Sequence, residues 1–513
     1  MKNATYVFWY SIAVCALVVL WGGIAPQHLE AVTTNATTFI STRFGWYYLL
    51  IIMMMLAFCV YLIFSRFNKI KLGKEDDKPE FSLPTWFAML FSAGMGIGLI
   101  FWTTAEPISH AFISSPSGEE GTPQAIKQSL EYSFFHWGIH AWAVYALVAL
   151  VLAYFKFHKG YPGLISATLV PLFGQKRMEG SAGKLIDILA VFATVVGVAA
   201  TLGFGSAQIN EGLAFLFSTP NNYGFQLLIL VVATFLFIIS AWSGLSRGIK
   251  YLSNVNMVLG FLLMVLLLIV GPTLLILNMF TNSIGGYITN FFEMSLRLEP
   301  LNQENRTWID NWTIFYWAWW ISWSPFVGIF IARISKGRTI KEFMAGVLFV
   351  PAIVCFIFFA VFGVSALEVQ EAGLANLTDY SMETTTFAVL EHYPLGTILS
   401  ILTIVVIAIF FITSADSATF VLGMLSTSGS LNPPRTVKIV WGLSLSAMAA
   451  IIVYFGGTDG LQNVLIVAAF PFSIVILMMG YSFYLAANQE VMASKKRTEI
   501  RKKRKETRHV ESM

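Results

Sequence analysis

Phe91-Ser92-Ala93-Gly94-Met95-Gly96-Ile97-Gly98-Leu99-Ile100-Phe101 sets three glycines at alternate positions in an otherwise apolar run. Each costs roughly 1 kcal/mol relative to Ala inside a helix. In hydrocarbon, unwound backbone is tolerated only where protein buries it or a cavity adjoins it. A Gly-interrupted membrane helix points to the substrate and ion site of a transporter. The run therefore predicts a membrane helix broken at Gly94–Gly98, with N–H groups freed for a ligand.

The rest of the chain fits such a helix. It has 513 residues, 57% of them hydrophobic and 12% charged, against about 25% charged in soluble domains. The mean hydropathy is +0.71. Runs long enough to cross ~30 Å of hydrocarbon recur near 7–24, 44–64, 86–104, 129–155, 185–217, 225–242, 253–279, 312–334, 343–366, 395–424, 437–455 and 462–485. These are numbered here as spans 1–12. The expectation is an all-α polytopic membrane protein with twelve transmembrane helices. The first run is too long, and too poorly followed by small residues, for a removable signal peptide.

Charge placement tests that topology independently. With the N-terminus inside, all but Arg43, Lys127, Arg297 and Arg306 of the 32 Lys and Arg fall on the inner side, as the positive-inside rule requires. The chain reads as a multi-pass plasma-membrane protein with both termini cytoplasmic. Its net charge of +4 reports topology and gives no reason to expect nucleic acid. Cys15, Cys59 and Cys355 all lie in apolar spans and read as small buried hydrophobes.

Span 8 is the second unusual one, carrying Trp312, Trp317, Trp319, Trp320 and Trp323 and then Ser324-Pro325. Proline removes a backbone donor and kinks a helix, so this span too is expected to be discontinuous. Interrupted spans 3 and 8 stand five apart, as in inverted-repeat transporters. The predicted architecture is two inverted five-helix repeats, spans 3–7 and 8–12. Residues 1–84 form two leading helices and a loop, 85–485 the core, and 486–513 a basic cytoplasmic tail. Glu106-Pro107 and Ser114–Gly118 mark an irregular outer loop, and Ile284–Leu298 an outer helix along the interface.

Span 4 contains Trp137, Trp142 and Tyr145 within an arc of about 140° of helix. Span 8 supplies Trp320, with Trp317 and Trp323 three residues either side. Four aromatic faces from two helices suit a quaternary ammonium, which has no N–H and is attracted instead to π faces. Such residues also form interfacial belts or pack; placement mid-span beside interrupted helices favours binding. In span 10, Thr413 and Ser414 offer neutral oxygens suited to Na+, or back-bond to their own helix. Asp416 is an intramembrane carboxylate, by default a functional candidate, with a structural pairing and ion sensing both open to it. His136 and His140 have ligand-compatible spacing, without the companion residues of a zinc motif. The run contains no nucleophile elbow, and an enzyme is not expected.

Ala93–Gly98, Phe135–Trp142 and above all Trp317-Ala318-Trp319-Trp320-Ile321-Ser322-Trp323-Ser324-Pro325-Phe326 resemble signatures of the betaine/choline/carnitine transporters. The similarity runs from Val7 to about Tyr484 and is greatest to Gram-positive glycine betaine importers. The resemblance implies a Na+-coupled importer of glycine betaine or a related osmoprotectant, usually trimeric, with no cofactor beyond the coupling ion. It assigns Trp137, Trp142, Tyr145 and Trp320 to the trimethylammonium box, and Trp319 and Trp323 to the substrate path. Together with the glycine-run reading, this places Gly94, Met95, Gly96 and Gly98 at the substrate. It gives one sodium to the Ser92 and Met95 carbonyls, the Phe410 carbonyl and the Thr413 and Ser414 hydroxyls. Thr194, Tyr145 and Phe326 match a second sodium site, where Val198 replaces a threonine. No Asp lies within Gly94–Gly98, unlike proton-coupled choline relatives, and the hydroxyls lost in sodium-independent antiporters are present. Those two remain the alternatives. The tail Lys495–Arg508 is expected as a positive-inside anchor that attracts anionic lipid.

Overall fold

The computed structural model describes residues 4–94, 96–243 and 246–511, and their side chains except at 91–94, 241, 243, 246–250, 458 and 494–511. Among the described residues it is all helical, with a single isolated bridge between Lys71 and Thr339. Among these residues eleven helices are long and apolar enough to cross a membrane. The remaining crossing is span 3, which escapes that description because it is two twelve-residue pieces, Leu83–Gly94 and Ile97–Ile108.

The contacts between spans pair up under exchange of the two halves. Span 8 packs along span 4, and span 3 along span 9; spans 5 and 10, which exchange with each other, also touch. Five crossings per repeat are an odd number, so the second repeat starts from the opposite side and is inverted. The centre lies between spans 4 and 8, whose most apolar stretches are 94% buried, against 22% and 28% in spans 6 and 7. Spans 6 and 7 turn Leu228, Val231, Phe235, Val258 and Phe261 outward, as lipid-facing helices do.

Several boundaries differ from expectation. The segment 26–43 is helical: Pro26–Phe64 is one 39-residue helix, about 58 Å at 1.5 Å per residue, with Pro at its first turn where the missing N–H costs nothing. The N-terminal half of this helix is tied down by Arg306, which donates to the Ser41 carbonyl and to Asp310 Oδ1 at 2.9 Å. Span 7 ends at Val270 and is followed by Gly271-Pro272. The helix expected from Ile284 runs Thr273–Thr289 instead, and a short turn of helix, Phe291–Leu296, follows. Span 12 continues without interruption to Glu511, within a helix kinked at Gly457.

The discontinuity expected in span 8 is absent. Phe315–Ile334 is continuous through Pro325, preceded by a wide π-turn at Asp310–Ile314. Pro325 cannot donate to the Ile321 carbonyl four residues back; the Ser324 hydroxyl donates to that oxygen at 2.7 Å. Local re-satisfaction of this kind lets proline sit inside a membrane helix. Span 4 is interrupted instead, at Gly138 (φ −88°, ψ −148°) between Pro123–Trp137 and Ile139–Ala153. A Cβ there would lie 2.4 Å from the Phe134 carbonyl oxygen and 2.9 Å from the Phe356 ring.

Candidate substrate site

The break in span 3 is centred on extended Gly96 (φ −130°, ψ −169°). The second half-helix opens at Ile97, so its first N–H groups have no acceptor within the helix, and its positive dipole end faces the interior. Tryptophan rings of span 8 close on this turn. A Cβ on Gly96 would lie 3.2 Å from Trp323 Cη2; one on Gly98 would lie 2.6 Å from Trp319 Cη2 and 3.4 Å from Trp137 Cη2. Glycine at 98 thus permits a close approach that no larger residue allows. Gly94 ends the first half-helix; the side chain of Ser92, the surroundings of Gly94, and Met95 altogether lie outside the described residues.

The four box residues come together as one continuous wall. Trp137 and Trp320 meet at 4.9 Å and 75°, Trp320 and Tyr145 at 6.1 Å and 78°, and Tyr145 and Trp142 at 5.6 Å and 80°. All are buried. Trp319 stacks on Trp320 at 5.2 Å and 7° and meets Trp137 edge-on at 6.0 Å. Trp137 belongs to the first half of span 4 and Trp142 and Tyr145 to the second, so the turn at Gly138 lies within the wall. The indole of Trp320 donates to the His136 carbonyl at 2.9 Å, and that of Trp323 to the Gly197 carbonyl at 2.8 Å. Trp323 therefore fixes span 8 to span 5, one turn away from the box.

Phe410 and Thr413 are buried in span 10 and Ser414 is half-buried. The Thr413 hydroxyl donates to the Ile409 carbonyl at 2.9 Å, which leaves its lone pairs free for a cation. The helix is unbroken from Gly396 to Leu425, so the Phe410 carbonyl is not freed by unwinding. Thr194 likewise donates to the Ala190 carbonyl at 2.8 Å. The Tyr145 hydroxyl, buried, has no partner among the described residues, and Phe326 packs edge-on to Trp323 at 5.6 Å. Asp416 has Lys438 of span 11 as the charge acting on it.

Sequence reasoning missed the most densely bonded polar group near the wall. Glu106, read as part of an outer loop, lies inside helix Ile97–Ile108 and is fully buried. Its Oε1 lies 2.7 Å from His136 Nδ1 and 3.3 Å from His110 Nε2; its Oε2 accepts from Trp137 Nε1 at 3.0 Å and from the Tyr316 hydroxyl at 2.5 Å. Glu106, His110 and His136 are close enough to share a metal; their hydrogen bonds, with Thr313 on His136 Nε2 at 3.1 Å, engage every ring nitrogen but His110 Nδ1, which has no partner among the described residues. His140 is separate, bonded through Nε2 to Ser295 at 2.9 Å. A cavity of about 700 Å³ lined by Tyr6, Trp9, Tyr161, Lys184 and Asp187 lies beside span 1 and contains none of the box residues.

A family model for the betaine/carnitine/choline transporters matches residues 6–492. The chain is 58% identical to the glycine betaine transporter OpuD of Bacillus subtilis, over 98% of both chains. It is 43% identical to an ectoine/hydroxyectoine transporter of Virgibacillus pantothenticus, over 93% of this chain and 95% of that one. Among solved structures it is similar to a Na+-coupled sialic acid symporter in a substrate-bound outward-open state, with 16% identity over 86% of each chain and a TM-score of 0.47. The aromatic wall beside a broken crossing thus belongs to a multi-pass membrane transporter, not an enzyme, and the chain is a member of the betaine/carnitine/choline transporter family.

Proposed function

We propose that this transporter imports glycine betaine, or a closely related quaternary ammonium osmoprotectant, together with Na+. The observation that carries the reading is the contiguous wall of Trp137, Trp320, Tyr145 and Trp142 beside the Gly96–Gly98 turn. A trimethylammonium head offers no N–H, and buried indole and phenol faces attract it by ~2 kcal/mol or more. Its carboxylate would meet the open N–H groups and positive dipole end at Gly96–Gly98. The 58%-identical Bacillus relative is a glycine betaine transporter, which supports this substrate.

Sodium would bind between spans 3 and 10, on the Ser92, Met95 and Phe410 carbonyls and the Thr413 and Ser414 hydroxyls. A second sodium would draw on Tyr145, Thr194 and Phe326, with Val198 contributing no oxygen. Ion binding at that junction would stabilise the substrate-ready state, and the repeats would then rock about the site. Residues 85–485 form the moving core, behind the helices of 1–84. Both termini are cytoplasmic, the tail from 486 lies against anionic lipid of the plasma membrane, and the working unit is a trimer.

Uptake of labelled glycine betaine into proteoliposomes tests this directly. Accumulation is expected with an inward Na+ gradient and not when K+ replaces Na+. Equal uptake in K+ would establish proton coupling, and uptake only with internal counter-substrate would establish antiport. Trp320→Ala is expected to abolish uptake while the protein remains in the membrane; unchanged affinity in that variant would refute the box.

A further inference from the structure

Four side chains from three places in the chain converge on one buried carboxylate, that of Glu106: His110, the adjacent pair His136 and Trp137, and Tyr316. An ionised carboxylate only accepts; with Glu106 in that state both imidazoles present an N–H to it, and His136 Nε2 then accepts from the Thr313 hydroxyl. Among the described residues no Lys or Arg forms an ion pair with Glu106. Three of its ties reach the aromatic wall. Trp137 is held directly through its indole N–H at 3.0 Å. Trp320 is held through His136, whose carbonyl accepts its indole N–H at 2.9 Å, and through Tyr316, which stacks on Trp320 at 5.8 Å and 23°.

A π face attracts a cation only where the ring plane is turned towards it. An indole held at its N–H by a carboxylate cannot swing, and the bond pushes electron density into the ring, since hydrogen-bonded groups polarise one another. The geometry points to Glu106 as a positioning residue for the onium box: it aims Trp137 and, through His136 and Tyr316, Trp320, and it makes the Trp137 face more negative. The inference rests on the box being the trimethylammonium site. It adds a group outside the box that sets how strongly the box prefers a charged head to an uncharged one of the same shape.

That preference is measurable. 3,3-Dimethylbutanoate has the shape and carboxylate of glycine betaine, with carbon in place of the quaternary nitrogen. In proteoliposomes carrying Glu106→Gln, the KM for glycine betaine is expected to rise ~10-fold with Vmax within about twofold of wild type, a part of what a desolvated cation–π contact contributes. Inhibition by 3,3-dimethylbutanoate should hardly change, so the preference for the charged head should shrink by the same factor. Tyr316→Phe keeps the stacked ring and removes one bond to Oε2; a shift of roughly threefold in the same direction is expected, and this variant decides the matter if Glu106→Gln fails to reach the membrane. A merely structural carboxylate would lower the amount of folded protein, or Vmax, and leave the charged-to-uncharged preference at the wild-type value; that result overturns the inference. Failure of wild-type protein to take up glycine betaine would instead refute the substrate reading.

Discussion

Spans 3 and 8 occupy matching positions in the two repeats and carry the same kind of sequence warning, yet only one of them breaks. Span 3 opens at Gly96 into two half-helices, whereas span 8 runs through Pro325 as one helix. The glycines differ from the proline in what they admit. Without side chains at 96 and 98, Trp323 and Trp319 come within contact distance of the turn, and the backbone there is shaped by the rings packed on it. Proline removes only a donor, and the Ser324 hydroxyl supplies another to the same Ile321 carbonyl. A break therefore follows from a neighbour that needs the space, while a missing N–H alone is repaired locally. The two spans divide the work: one offers open backbone, and the other stays rigid enough to hold a stack of indoles in register.

Placing a side chain in the span 3 turn should be the most damaging change. The Cβ of Gly98→Val would lie 2.6 Å from Trp319, and Trp319 stacks flat on Trp320, so the displacement passes into the box. Uptake of glycine betaine is expected to fall by roughly 100-fold, the scale of an ångström-sized misplacement at a reacting or binding centre, with protein still in the membrane. Normal uptake would show that the turn tolerates bulk and that the rings do not shape it. A milder version lies where span 8 touches span 5. The Cβ of Gly197→Ala would lie 2.8 Å from Trp323 Cδ1 and 3.2 Å from the Ser322 carbonyl carbon, and Trp323 donates to the Gly197 carbonyl. Overpacking of ~1–3 kcal/mol is expected to slow transport about tenfold with KM little altered, because Trp323 stands one turn from the box; a KM effect as large as that of Gly98→Val would place both contacts in one site.

Much of this arrangement was legible in the sequence because its signals are local. Apolar runs and the alternate glycines gave twelve crossings and the position of one break, and the order Trp319-Trp320-Ile321-Ser322-Trp323 put the indoles on one helix. What was not legible depended on distant partners. Gly138 stands alone in an apolar run, and its break is apparent only from the Phe356 ring against it. Glu106-Pro107 has the composition of a loop, and nothing in the adjacent sequence announces that His136, Trp137 and Tyr316 will surround the carboxylate. The one cue was available and unused: Glu106 lies ten residues after a membrane-buried turn, still within the length of a crossing. Span 8 was misread for the opposite reason. The signal was local and correct about Pro325, but the repair by Ser324 is local too, and the pair Ser324-Pro325 carries both the defect and its remedy.

The smallest expected effect tests that remedy. Ser324→Ala would leave the buried Ile321 carbonyl short of its donor at a cost of about 1 kcal/mol, within the range found for single hydrogen bonds inside membrane proteins. Pro325→Ala restores a backbone N–H able to reach the same oxygen, and a carbonyl accepts two donors, so this change alone should be close to neutral. The informative measurement is the double variant. If the hydroxyl stands in for the missing N–H, Ser324→Ala should lower the unfolding midpoint in detergent when Pro325 is present and have almost no effect once an N–H is restored at 325, with uptake within about twofold throughout. An equal cost in both backgrounds would mean that the hydroxyl stabilises something other than the proline gap. The continuity of span 8 would then come from the tryptophan stack, which lies on the N-terminal side of Pro325, and the contrast with span 3 would be one of packing on both sides.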